Sequence, residues 1–247
     1  MLEQNAGGQS PFLLTCDHYG RLIPEMLGDL GLPEEERRRH IGWDIGIAGV
    51  AERMAAALNA HLVAQRYSRL VIDCNRPPQA ASSIPLVSEA TTVPGNEGLS
   101  REAAASRREL IFDPYHRRID EVIDARKRSG QPTVLVSLHS FTPVYAGIAR
   151  PWHIGTLYQR DTVLPPLVLQ GLRAEPDLVV GDNEPYAVSD DTDYTIPVHG
   201  EKRGLMNTGI EIRQDLISDA AGETAWAERL TRVFSEIEAA LKQRGSI

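Results

Sequence analysis

The chain has 247 residues and a formal net charge of −8, a size that one large domain or two small ones would fill. Charged and apolar residues stand near globular averages, which argues against wholesale disorder. The acidic balance lacks the basic footprint that a nucleic acid or an anionic membrane requires.

Residues 1–10 are polar and glycine-rich and read as a flexible end. Phe12-Leu13-Leu14-Thr15-Cys16 reads as a buried strand. It stops at Asp17-His18, two ionisable groups followed by Gly20 and Pro24. PEEERRRHIGWD places acids before bases, the order that a helix dipole favours. Asp44 stands where it would cap the helix IGIAGVAERMAAALNA, whose alanines and large apolar residues recur at helical spacing. HLVAQ and RLVID follow as two short strand-like runs. A loop of more than twenty residues, from about 75 to 100, carries four prolines; such loops are usually functional or disordered.

Residues 101–112 read as helical. Asp113-Pro114 restarts a helix that Ser129-Gly130 ends. TVLVSL and HIGTLYQ read as strands, VLPPLVLQGLRA as a helix, DLVVGDNEPY as a strand and loop, and NTGIEIRQDLI as a further strand. ETAWAERLTRVFSEIEAALKQRG reads as a long amphipathic helix. The alternation implies an α/β domain with helices on both faces of the sheet, with the whole of 1–247 as one domain. No internal repeat appears.

Cys16 and Cys74 show no metal-type spacing and read as buried thiols of a reducing compartment. The N-terminus has no basic-then-apolar leader pattern, and no stretch reaches the ~18 apolar residues of a membrane span. The expectation is a soluble, cytoplasmic protein.

Open α/β sheets bind ligands beyond the carboxyl ends of their strands. The run ending at 16 delivers Asp17 and His18, and the run 69–72 delivers Asp73, Asn75 and Arg76. The run 133–138 delivers His139 and Ser140, and the run 208–212 carries Glu211 and Arg213. Each has an ordinary structural reading: Asp73 could cap a turn and pair with Arg76, and Glu211, alternating with Ile210 and Ile212, could face solvent.

The segments CDHYGRLIP, GWDIGIAGVA, YSRLVIDCNRP, DPYHRRID, SLHSF and HGEKRGLMNTGIEIRQDLI occur in that order. Together they resemble the N-formylglutamate amidohydrolase family over about residues 12–240. The resemblance implies a three-layer αβα sandwich around a mixed, mostly parallel sheet, similar to zinc exopeptidases. It implies hydrolysis of an N-formyl or N-acyl amide of an acidic amino acid, with one zinc or another divalent ion. Zinc carboxypeptidase-like sites use His-x-x-Glu and a distant second His. His18 and His139 fit, but Arg21 stands where the Glu would be. The third ligand must come from elsewhere, with Asp44 first and Asp17 second.

Glu211 is then the general base and His199 an oxyanion donor. Arg76, Arg213, Asn75 and Arg69 are the substrate-side groups, because an N-acyl glutamate presents two carboxylates. Tyr115 and His116 read equally as packing or as site residues. Two other readings stay open. Ser140 beside His139 could be a nucleophile, although the chain lacks the G-x-S-x-G elbow. Arg21 also leaves room for a metal-free module that binds acidic small molecules.

Overall fold

The computed structural model describes residues 1–247. Seven strands form its main sheet: β1 (Leu2–Gln4), β2 (Phe12–Cys16), β3 (His61–Ala64), β4 (Val134–Phe141), β5 (Ile154–Leu157), β6 (Val180–Asp182) and β7 (Met206–Arg213). Their spatial order is β1-β3-β2-β4-β7-β5-β6. Strands β3, β2, β4 and β7 run parallel, and β5 and β6 are parallel to each other. The junctions β1/β3 and β7/β5 are antiparallel. The sheet is thus mixed and mostly parallel, as the sequence led us to expect.

Four long helices matter here: α1 (Ile47–Leu58), α2 (Asp113–Ser129), α3 (Leu164–Arg173) and α4 (Ala220–Gln243). In α1 the buried residues Ile47, Val50, Ala51, Met54 and Ala55 recur at 0, 3, 4, 7 and 8, a single apolar stripe. That stripe packs with α3 and α4 against Phe12, Leu14, Cys16, Val134, Val136, Ile210 and Ile212. The opposite face carries Leu13, Val63 and Leu135, which pack against Tyr115, Ile119, Val122 and Ile123 of α2. Neighbouring strand residues point to opposite faces, so the two cores interleave along each strand. Continuous apolar runs such as Phe12–Leu14 follow from burial on both sides.

The connection from β2 through α1 leads to β3 on one side of β2. The next crossover, through α2, returns to β4 on the other side. The β2/β4 junction is therefore a topological switch point, where a crevice opens beyond the carboxyl ends.

Several local expectations need correction. Residues 2–4 are an edge strand paired with 62–64 rather than a flexible end. Ser10 and Pro11 are tied down as well, because the Arg126 guanidinium donates to both carbonyls at 3.1 Å. RLVID forms turns instead of a strand; its apolar residues Leu70, Val71 and Ile72 fill the α2-side core. Asp113 restarts nothing, since a π-helical turn at Arg108–Phe112 joins the helix Arg101–Arg107 to α2. Asp44 does not cap α1. Gly46 occupies the cap position at φ +79°, where a Cβ would lie 1.9 Å from the Ile217 carbonyl oxygen. Only glycine fits that turn, and the turn leaves the Asp44 side chain free to face the sheet. No helix is long and apolar enough to cross a membrane.

Candidate metal centre

At the β2/β4 switch point the side chains of His18, Asp44 and His139 converge, all buried, with one potential ligand atom from each within 4.8 Å of the others. His18 follows β2 directly, His139 lies in β4, and Asp44 enters from the turn before α1. His18 Nδ1 lies 3.5 Å and His139 Nδ1 3.0 Å from Asp44 Oδ2. Ligands on a tetrahedral zinc with bonds near 2.0–2.1 Å stand about 3.3 Å apart, so these separations fit a small divalent ion.

The far side of each imidazole supports the same assignment. His18 Nε2 bonds Asp73 Oδ1 at 2.7 Å. Asp73 is in turn gripped by Arg69 through Nε at 3.0 Å and Nη2 at 2.7 Å. His139 Nε2 bonds Ser137 Oγ at 2.9 Å, and that hydroxyl donates onward to Asp17 Oδ2 at 3.3 Å. A carboxylate accepts from the first Nε2 and a carboxylate-anchored hydroxyl from the second, so both carry their proton there. Each Nδ1 lone pair then turns toward Asp44, the arrangement typical of metal-ligating histidines. His18 Nδ1 is buried without any hydrogen bond, an orphan that an ion would satisfy.

The electrostatics couple the three groups to one another. Burial opposes ionisation of Asp44, yet His18 and His139 hold its carboxyl well below the usual range. Burial likewise opposes charge on His139, but Asp17 and Asp44 raise it well above an ordinary histidine. His18 rises too, as Asp73 and Asp44 outweigh burial and Arg69.

Glu211 of β7 lines the same cavity, is 7% exposed, and has a buried Oε2 that makes no hydrogen bond. Burial pushes its carboxyl up to about 7, against the pull of His139. It shares a face of β7 with Gly209, while Ile210 and Ile212 go to the opposite core. The solvent-facing reading of Glu211 therefore fails.

The cavity has a volume of about 510 Å³. Arg76 lines it, half-buried, donating to the Thr192 carbonyl and lying 3.9 Å from Asp73. The 75–100 loop supplies part of the wall, including Ser82, Pro85, Ser88 and Glu89.

Three assignments change. His199 does not line the cavity. It lies in a buried chain in which His116 Nε2 meets the Cys74 carbonyl at 2.8 Å, His116 Nδ1 meets His199 Nε2 at 2.9 Å, and His199 Nδ1 meets Asp120 at 3.1 Å. Arg213 pairs with Asp215 at 2.8 Å and faces the carbonyls of 150–152, away from the cavity lining. Asn75 reaches the cavity, but its side-chain amide is engaged: Oδ1 accepts from the backbone N–H groups of Tyr194 and Thr195, and Nδ2 donates to the Asp193 carboxylate. Arg69 lines the cavity with its fork on Asp73 and lies 3.6 Å from Asp44.

Asp17 lies outside the His18–Asp44–His139 group. Tyr115 Oη and Thr195 Oγ1 donate to it at 2.9 and 2.7 Å, and it stands behind His139. This gives Tyr115 a supporting place that its position in the sequence left open. Ser140 lines the cavity, and its Oγ donates to the Ile45 carbonyl at 2.8 Å. Asp73 is the residue sequence reading undervalued; the signal available was its acidic side chain four residues after Arg69.

Fold and site together define an α/β protein with a buried His-Asp-His group, of a kind that could hold a metal ion, at the switch point of its sheet. The family model for N-formylglutamate amidohydrolase matches residues 10–218. The chain belongs to that family. The N-formylglutamate deformylase of Pseudomonas aeruginosa is 34% identical over 149 residues, 54% of this chain and 53% of that protein; the match thus spans about half the length of this curated relative. The crystal structure of a gene product of Agrobacterium tumefaciens superposes with a TM-score of 0.94 at 36% identity, covering 98% of this chain and 95% of that one. N-formylglutamate amidohydrolase from Ralstonia eutropha, at 19% identity and TM-score 0.68 over 96% of each chain, shares the fold.

Proposed function

We propose that this protein is a metal-dependent amidohydrolase that cleaves the N-formyl or N-acyl amide of an acidic amino acid. The observation that carries the reading is the convergence of two Nε2-anchored imidazoles and Asp44 beside a buried, unpartnered glutamate. Family membership supports amide hydrolysis as the reaction class.

His18, Asp44 and His139 would hold a divalent ion, zinc by the character of the donor set. When bound, that ion supplies Lewis acidity, polarising the scissile carbonyl and acidifying water. Asp73 with Arg69 fixes the His18 ring, and Ser137 with Asp17 fixes His139, so neither ligand must reorganise during turnover. Glu211 takes the proton of the attacking water on its unpartnered oxygen and delivers it to the leaving amine nitrogen. Its raised affinity for protons suits both halves of that transfer, because a base near neutrality can also act as the acid. Arg76 pairs with a substrate carboxylate; charge-assisted bonds of this kind contribute about 1.5–3 kcal/mol each.

The deciding experiment is metal analysis of protein purified without chelator, combined with hydrolysis of N-formylglutamate before and after chelation and zinc return. About one equivalent of zinc, with turnover that follows it, is the expected result. Undiminished turnover after complete metal removal would overturn the reading. The metal-free binder alternative requires that zinc fail to bind after supplementation.

A further inference from the structure

Beside the helix Arg101–Arg107 lies a second cavity, of about 460 Å³, that shares no lining residue with the His-Asp-His cavity. Met26, Leu27, Tyr67, Ala103, Leu110 and Ile111 line it, and Arg107 is the single charged residue of its wall. Small-molecule sites span about 300–1,000 Å³ and are mostly apolar with a few placed polar groups. The π-helical turn Arg108–Phe112 supplies Leu110 and Ile111, and such turns recur at functional sites.

Arg107 is only 5% exposed. Its Nη1 donates to the Val71 carbonyl at 2.9 Å and to Asn96 Oδ1 at 2.6 Å, and its Nη2 donates to the Gly95 carbonyl at 3.1 Å. All three acceptors are neutral. Nε is buried and has no acceptor. Burial lowers the proton affinity of this guanidinium, with no carboxylate to oppose it. Buried charges are ordinarily paired, and this one is not.

Two other arginines mark the contrast. Arg69 uses its Nε–Nη2 edge to grip Asp73 at 3.0 and 2.7 Å; in Arg107 the same edge holds one carbonyl. Arg126 also sits among carbonyls, those of Ser10, Pro11, Phe12 and Pro132. It lines neither cavity, however, and keeps no buried nitrogen without a partner.

We infer that this second cavity binds an apolar monocarboxylate, its carboxylate beside Arg107 and its hydrocarbon body against Leu27, Tyr67, Leu110 and Ile111. One cation in the wall matches one carboxylate. An apolar surround of low dielectric strengthens the attraction between opposite charges, so the anion gains most where its partner is buried. The site is independent of the amidohydrolase reading, because the two cavities have no residue in common.

The test titrates octanoate, 1-octanol and octylammonium calorimetrically against the protein in its metal-free form, which keeps the carboxylate from seeking a zinc ion. Octanoate should bind at least about tenfold more tightly than octanol, the usual worth of a charge-assisted bond, and octylammonium more weakly than either. Leu110 is 66% exposed and Met26 83%, so Leu110→Asp and Met26→Asp should leave the fold intact. Each places a negative charge at the cavity and should weaken octanoate several-fold more than octanol. Arg76→Ala, in the other cavity, should leave octanoate affinity unchanged. Arg107→Gln should erase the preference over octanol; if that variant melts early, the two exposed-site variants decide.

Octanol binding as tightly as octanoate overturns the site, as does the absence of saturable octanoate binding. Octanoate binding that ignores both aspartates, or that disappears in Arg76→Ala, overturns it too. So does a protein that sediments as a dimer and becomes a monomer on Leu110→Asp, because a second copy of the chain then occupies this face.

Discussion

Asp73→Asn probes the support of the metal centre with little change in shape. The substitution keeps an oxygen for the Asn75 amide, which donates to Asp73 Oδ1 at 2.9 Å, and for His18 Nε2 at 2.7 Å. What it removes is charge, together with the Oδ2 acceptor that Arg69 grips. Arg69 and His18 together hold the Asp73 carboxyl well below its ordinary range despite burial, so it is an anion at any working pH. The anion makes His18 a better ligand and neutralises Arg69, which otherwise faces Asp44 at 3.6 Å. Losing an outer partner of this kind typically lowers metal affinity 10–100-fold, about 1.4–2.7 kcal/mol. Competition of zinc against a chromophoric chelator measures it directly. The effect should shrink as pH falls, since Asp73 itself helps hold the proton on metal-free His18 and its loss eases that competition. Zinc must displace that proton. An affinity within twofold of the parent would refute the outer-shell role of Asp73.

Three other outcomes are expected. Glu211→Gln should keep zinc and lower kcat by about 10²–10⁴-fold; in the parent, activity should fall as pH drops through the glutamate's value, about 7 without metal and lower beside a bound cation, and pH–rate profiles of the two proteins check this. Arg76→Ala should raise KM for N-acyl glutamate about 10–150-fold, while Arg213→Ala should change it less than threefold, since Arg213 lies outside the cavity lining; steady-state kinetics separate them. His199→Ala should cost about 2–4 kcal/mol in denaturant unfolding through its lost bonds to His116 and Asp120, yet leave kcat per folded molecule largely intact; a catalytic defect without destabilisation would return His199 to the active site.

How much of this was legible beforehand follows a physical line. Apolar runs that end in ionisable residues are visible in any sequence, and they located Asp17-His18, His139 and Glu211 at strand ends. Period-2 alternation also placed Glu211 opposite Ile210 and Ile212, but it could not tell a cavity from solvent on that face. Arg213 shares the alternation and still turns aside, because Asp215 and three carbonyls capture it beyond the strand. His199 and Asn75 were misread for the same reason: their residue types suit catalysis, but their partners come from α2 and the 189–195 loop, far away in sequence.

The sequence by itself determined the α/β alternation, the apolar stripes of the helices, and which strand ends carry chemistry. These depend on local periodicity and on the cost of burying charge. Only the tertiary structure decided that Asp44 completes the group, that Asp73 and Ser137 stand behind the two imidazoles, and that Glu211 faces the same cavity. Those facts follow from strand order and crossover direction, which bring together side chains as far apart as residues 17 and 195. No periodicity within a single segment encodes such a meeting.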